Sequence, residues 1–419
     1  MSFSVLDQQP IAMKNRKKNT TAMRLSCAAL ALPGLMQTAS AGRVEETYNA
    51  DFQYGHYSES NKRMDVDIFE GALSAPIGQA MTANVNLVRD VVSGASPVYN
   101  YKDAQGKIRQ SMSGASPSSS CGESICEQRD AISSALTYFF DSAAINAGGG
   151  FSREHDYTSR YFNTNMSLDL NKKLTTLNFG ASVAFDEVSP SPSTWNSRDQ
   201  DFKSHKTSQN YLLGVSQILD KDSLLQSNIT FGYSSGFLSD PYKWVAFYEG
   251  NSFSDFQQDK RPEEKFQWAW LTQYVRHFGQ FNDAALHVDY RFSTDDWGVN
   301  AHTFETSWHQ PIVDNWQIIP RFRYYSQDSA DFYQPVFSGN SANYAAYSSD
   351  YRLAGFGAFS GGLKISKEIN AIQPFSQLKF QTGFEYYNHN ADYQLGGNNR
   401  DNFDSFSYYL VTASFNLKF

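Results

Sequence analysis

The sequence predicts an all-β chain, a transmembrane antiparallel β-barrel of about 16 strands with short periplasmic turns and long extracellular loops. Three observations predict it. The N-terminus carries a basic and apolar export segment, a ten-residue apolar/polar alternation recurs along the rest of the chain, and the links between alternating segments are tight at one end and long at the other.

The first element is residues 1–41, which read as a signal peptide. Lys14, Arg16, Lys17, Lys18 and Arg24 form its basic region, an apolar stretch runs from Leu25 to Met36, and Ala39-Ser40-Ala41 gives the small-x-small cleavage pattern before Gly42. Met13 would serve equally well as the natural start. Cys27 follows Arg24 without an apolar stretch before it, so it reads as part of the removed segment rather than as a lipid attachment site. Removing 1–41, which holds five basic residues and one acid, moves the net charge from −8 to −12. A chain that acidic is a poor partner for nucleic acid and suits a surface facing lipopolysaccharide.

Residues 42–419 form the second element, the barrel. Aromatic residues make up 15% of the chain (Phe 32, Tyr 25, Trp 7), yet mean hydropathy is −0.51. A barrel combines these because its apolar residues face lipid while its polar residues face the interior. No stretch after residue 41 approaches the roughly 18 apolar residues of a spanning helix. Sixteen alternating segments are predicted, at 49–57, 64–74, 80–91, 128–140, 143–154, 160–170, 174–186, 207–219, 223–236, 264–278, 283–294, 299–310, 316–327, 351–366, 374–387 and 405–419.

Every even-numbered link is tight: Ala75-Pro-Ile-Gly78, Asp141-Ser142, Asn171-Lys-Lys173, Asp220-Lys-Asp222, Gly279-Gln-Phe-Asn282, Val313-Asp-Asn315 and Glu368-Ile-Asn370. The long links, 92–127, 187–206, 237–263, 328–350 and 388–404, are all odd-numbered. That asymmetry belongs to outer-membrane barrels, whereas a soluble all-β protein has no reason to gather its long loops at one end. Only seven residues separate Gly42 from the first segment, which leaves no room for the plug domain of a gated receptor.

Period-two alternation assigns the faces. In 283–294, Ala284, Leu286, Val288, Tyr290 and Phe292 oppose His287, Asp289, Arg291 and Ser293; in 316–327, Trp316, Ile318, Phe322 and Tyr324 oppose Gln317, Arg321, Arg323 and Gln327. In 264–278, Phe266, Trp268, Trp270, Thr272 and Tyr274 are expected to face lipid. The predicted lumen lining includes His287, Asp289, Arg291, Glu305, Arg321, Arg323, Lys379 and Glu385. These charges either face one another across a pore and orient polar solutes, or pair on the wall and fill the interior. The last segment alternates to its end through Tyr409, Val411, Ala413, Phe415, Leu417 and Phe419. A terminal aromatic on such a strand resembles the signal read by the barrel-assembly machinery, so Phe415, Leu417 and Phe419 are its candidate residues.

Two cysteines remain after cleavage, Cys121 and Cys126, and an even count in an oxidising compartment favours a disulfide. The loop is short, so it would constrain the unfolded chain by only about 2 kcal/mol. Metal binding by this pair is the other reading, but His ligands and zinc-type spacing are missing; no metal or cofactor is expected. Ser93-Gly-Ala-Ser-Pro97 recurs at 113–117, which reads as low-complexity loop sequence.

His155-Asp156 and Asp295-Asp296 fall at strand ends and resemble the acidic and histidine groups of surface proteases. Acidic loop tips are also ordinary solvated hairpins, and no nucleophile motif accompanies them. His287 and His302 lie on adjacent predicted strands and read as isolated strand histidines. The chain is expected not to be an enzyme.

Ser93-Gly-Ala-Ser-Pro97, Gly148-Gly-Gly-Phe-Ser152 with Asp156-Tyr157, and the run from Arg321 to Tyr333 resemble a family of proteobacterial outer-membrane proteins catalogued as a domain of unknown function. The resemblance spans nearly all of 42–419. It implies a neighbourhood of small lipoprotein and redox proteins, and carries over no catalytic residues. The expectation is a porin-like outer-membrane barrel of a Gram-negative bacterium, a channel or transporter for small solutes. The alternative is a scaffold or export partner for a small periplasmic lipoprotein or redox system, with an outer-membrane hydrolase behind both.

Cys121 and Cys126 should be joined to each other in the exported protein. Mass spectrometry of unreduced peptides should recover the linked pair; two free thiols would contradict it.

Overall fold

Alternation at this period commits a chain to strands whose two faces differ, and neighbouring strands must then agree about which face is which. A computed structural model describes residues 47–94, 96–103, 105–113, 125–190, 202–372, 374–397 and 405–419. Residues 1–41, expected to be a signal peptide, and Cys121 lie outside the described residues, and of Cys126 only the backbone, in a strand, is described.

Sixteen strands close into an antiparallel barrel. In chain order they are β1 (Asn49–Glu59), β2 (Met64–Ile77), β3 (Met81–Gly94), β6 (Ile125–Phe139), β7 (Ala143–Arg153), β8 (Tyr157–Leu170), β9 (Thr175–Val188), β10 (Ser204–Asp220), β11 (Ser223–Gly236), β14 (Glu264–Phe278), β15 (Ala284–Asp295), β16 (Asn300–Pro311), β17 (Trp316–Gln327), β19 (Phe356–Ile372), β20 (Phe375–Asn390) and β21 (Phe406–Lys418). They run from 11 to 17 residues, enough for the roughly 9–11 residues that a tilted strand needs to cross a bilayer. Five further strands lie in the long links: β4 (Ser96–Lys102), β5 (Ile108–Ser113), β12 (Trp244–Glu249), β13 (Ser252–Gln258) and β18 (Phe337–Ser338).

The polarity is the reverse of a soluble core. Phe162 is 64% exposed and Leu213 50%, whereas the inward Asn146 is 4% exposed and Gln226 2%. Outward rings also form a band near the short-turn end, where Trp308 packs against Phe278 at 5.5 Å and Phe281 at 6.0 Å. Aromatic belts of this kind mark membrane interfaces.

Polar turn residues adopt the left-handed conformation that closes a tight hairpin: Asn171, Lys172 and Lys173, then Asn282 and Asp283, then Asp314 and Asn315. Two turns fall later than the sequence suggests. β2 runs through Pro76 to Ile77 and reverses at Gly78 (φ 62°), and β19 runs through Glu368-Ile-Asn370 to Ile372. In β19 the outward alternation continues through Lys367 and Ile369, paired with Phe380 and Leu378, so cross-strand packing outweighs local turn preference. Residues 351–355, expected to begin the fourteenth strand, instead form an inward 3-10 turn at Tyr351–Leu353, because Asp350 caps the Arg352 amide at 3.1 Å.

The barrel is sealed where β21 meets β1, from Asn49↔Lys418 to Glu59↔Tyr408. Phe415 pairs with Phe52 on the outward face, and Leu417 with Ala50. The Phe419 amide donates to the Tyr48 carbonyl at 3.0 Å, and its ring meets Phe375 at 5.0 Å. Deleting Phe419 should therefore lower the amount of assembled barrel, read as heat-modifiable protein on a gel. Equal barrel in wild type and deletion would contradict this.

Candidate functional site

The inward register builds two unlike walls. From β14 to β20 it is charged and aromatic. Arg321 on β17 grips Glu305 on β16 with both ends of its guanidinium, at 2.7 and 2.9 Å, and reaches Glu385 on β20 at 2.8 Å. Arg323 adds a bond to Glu305 at 2.6 Å. Such bidentate pairing is the strong form of the ion pair. Arg321 can reach Glu385 two strands away because the strand between them places Gly362 in register with both residues. A Cβ there would press on the Phe384 carbonyl at 3.0 Å and meet the Glu385 Cβ at 3.5 Å.

Asp289 lies opposite Glu305 and accepts from the Gln273 amide at 3.0 Å. Arg291 and Lys379 share the inward register, Lys379 beside Glu368 and Asn416. His287 also faces inward, with its ring 4.3 Å from His309. The eight residues named from the sequence therefore occupy one continuous sector of the wall. Four of the charges pair along that wall, since Arg321 and Arg323 bond Glu305 and Glu385 directly and do not face them across an open width. His302 is not a lumen neighbour of His287. It points outward, where the Tyr290 hydroxyl meets its Nδ1 at 2.9 Å.

The opposite wall, β6 to β11, is mostly small and neutral. Asn146 donates to Thr137 at 2.9 Å and Ser167 to Asn178 at 3.0 Å. Asn210, Gln226 and Asn228 continue this lining. Gly214 leaves room for Asn228, whose Oδ1 would collide with an added Cβ.

The long links converge over the mouth. β12 pairs with β13 and, in parallel, with β18, joining links 237–263 and 328–355 into one small sheet. Val245, Phe247, Phe337 and Tyr347 form its apolar cluster. The β4–β5 hairpin joins through Lys102 N to the Tyr248 hydroxyl at 2.8 Å and Asn100 to the Ser349 carbonyl at 3.3 Å.

A buried ion network occupies the centre. Arg261 bonds Asp259 at 2.7 Å and Asp350 at 2.9 Å. Arg352 bonds Asp350 through Nε at 2.8 Å and also bonds Asp240, and the Lys243 ammonium donates to the Pro97 carbonyl. Burial alone would raise the Asp350 carboxyl, but Arg352, Lys243 and Arg261 hold it well below the usual carboxylate range. Burial pulls the Lys243 ammonium down, against Asp350 and Asp240.

This cap is tied to both sides of the barrel. Gln327, at the end of β17, donates to the carbonyls of Arg352 (3.0 Å) and Ala354 (2.7 Å). Tyr242 donates to Asp156, just after β7. β17 is the thirteenth strand of the ring and β7 the fifth, so these anchors lie eight strands apart, on opposite walls. Arg63 lies 5.5 Å from the Tyr351 ring centre and 4.7 Å from that of Phe406, adding a third tether.

The acidic pairs considered as protease-like groups act as struts. Asp156 receives Tyr242, Asp295 pairs with Lys265 at 2.8 Å, and Asp296 caps the Phe266 amide at 3.0 Å. Among the described residues no three His, Cys, Asp or Glu side chains gather as metal ligands.

Residues 22–410 match a family described as Protein of unknown function (DUF3570). The chain belongs to this family. A comparison with curated proteins finds no match. Among solved structures, this DUF3570 chain is similar to a ferric enterobactin receptor of Pseudomonas aeruginosa, at 8% identity and TM-score 0.44, covering 85% of this chain and 55% of that one. It is similar to CdiB from Acinetobacter baumannii at 9% identity and TM-score 0.49, covering 91% and 61%. It is also similar to a bacterial polysaccharide outer membrane secretin at 6% identity and TM-score 0.48, covering 90% and 99%. The chain thus spans little more than half the length of the first two.

Glu305→Gln should destabilise the barrel more than Arg323→Ser. The first change leaves two arginines without their shared carboxylate, while the second leaves Glu305 paired with Arg321. About 3–5 kcal/mol is the cost of breaking a fully buried pair, and here about a fifth of each side chain is exposed, so about 2–3 kcal/mol is expected. Thermal unfolding in detergent checks the order; equal melting of the two variants would contradict it.

Proposed function

We propose that the chain lies in the outer membrane of a Gram-negative bacterium and passes small polar solutes along a restricted lumen. One observation carries this reading. Inward-facing positions are mainly polar along β17 and β20, from Gln317 and Lys379 near the short-turn end through Arg321, Arg323 and Glu385 to Gln327 under the cap, with Ile319 as a buried apolar position among them. A barrel wall of ion pairs, amides and hydroxyls offers a travelling solute hydrogen-bond partners in sequence, which a wall packed for stability alone does not need.

The charged sector would discriminate solutes by sign. Arg321, Arg323 and Arg291 stand among Asp289, Glu305 and Glu385, so removing guanidinium groups leaves carboxylates uncompensated. No bond-breaking chemistry and no cofactor belong to this reading.

A second reading is favoured by the cap itself, since loops that cross the mouth also suit a scaffold that displays or carries a partner such as a small lipoprotein. Conductance separates the two. The purified protein in a planar bilayer should give discrete current steps, and Arg321→Ser with Arg323→Ser should shift the reversal potential toward cation preference. No current from correctly folded wild-type protein would favour the scaffold.

A further inference from the structure

Lids and constricting loops derive their behaviour from the weakest join in their packing, so the joins of the cap can be compared. Trp297, Ala330, Tyr333, Leu353 and Ala354 form an apolar cluster at the β15–β16 rim. It holds link 328–355 to the wall. The Val245, Phe247, Phe337 and Tyr347 cluster joins links 237–263 and 328–355 beside the β12–β18 pairing. The crossing of the mouth between these clusters is polar. Arg261 reaches from link 237–263 to Asp350, and Arg352 reaches back to Asp240.

Asp350 is 1% exposed, and its carboxylate is shared by two guanidinium groups. Ser348 accepts from its backbone amide at 3.2 Å. Without its charge, Arg261 and Arg352 face each other with Lys243 close by. Asp259 then compensates Arg261 only from within the same link.

We infer that the cap sets the exclusion limit of the barrel, and that the Asp350 carboxylate is the group that keeps it closed. This inference rests on the channel reading. Opening the crossing would separate the anchors at Gln327 and Asp156, and would admit solutes that the closed mouth refuses. Asp350 thereby becomes a specificity-determining residue, although it touches no solute in the lumen.

The test uses Asp350→Asn in the full chain. Asparagine keeps the shape and removes the charge. Heat-modifiable mobility serves as the check that the barrel still assembles. The inference expects single-channel conductance to be roughly doubled, larger sugars to enter liposomes, and trypsin to nick links 237–263 and 328–355 in intact membranes where wild type resists. Arg261→Gln, which leaves Asp350 paired with Arg352, should move all three readouts less and in the same direction, and it carries the test if Asp350→Asn does not assemble. A wild-type current that stays the same in the variants while the loops become cleavable overturns this inference and leaves the channel reading intact. Absence of current in every protein, with the loops opened, sinks the channel reading and the inference together.

Discussion

Closure of the sheet is the constraint on which everything else depends. Within a bilayer a strand has no water to satisfy its amides and carbonyls, so every edge must find a partner. Here the last edge disappears only when β21 pairs with β1 along 11 registered residues, from Asn49↔Lys418 to Glu59↔Tyr408. Once the ring is closed, each strand has one face toward lipid and one toward the interior, and no residue can change sides without shifting its whole strand. The apolar exterior, the paired charges within and the gathering of long links at one end follow from that single condition.

Closure also explains why the interior needs its own order. A barrel of sixteen strands is too wide for wall side chains alone to fill, and inward charges must be paired or hydrated. The protein pairs them along one wall, through Glu305 with Arg321 and Arg323, and leaves a lining rich in amides and hydroxyls on the other. Over the mouth it spends three links on a cap whose middle is ionic. Apolar clusters hold the cap at its margins, while Asp350, Arg261, Arg352 and Asp240 join it across the centre. A joint of that kind is strong while complete and yields when one charge is removed.

The barrel strands were legible because period two is written into each of them and because a spanning strand is long enough to show it. The facing of Arg321, Phe322, Arg323 and Tyr324 could be read from four consecutive residues. Their partners could not, since Arg321 and Glu385 meet across the intervening Gly362, two strands apart in register and 64 residues apart in the chain. The cap was hidden for a related reason. Its charged residues belong to links 237–263 and 328–355, where no periodicity relates one to the other; Asp350 falls in a predicted loop and Arg352 in the predicted strand 351–366. One signal was available: Trp244-Val-Ala-Phe-Tyr-Glu249 is an apolar run inside a polar link, too short to span a membrane and therefore needing burial elsewhere. The misplaced turn at Glu368-Ile-Asn370 shows the opposite error, in which local composition was weighed above the pairing that continues through it.

The barrel is closed, with a mainly polar face turned inward and an apolar face turned outward. Single-cysteine scanning along β17, in a chain whose native cysteines are replaced, tests this arrangement most directly. Positions 317, 321 and 323 should react with a small water-soluble thiol reagent in intact membranes. Positions 318, 322 and 324 should instead be quenched by lipid-borne probes. Uniform reactivity along the strand, or an alternation of the opposite phase, would contradict it.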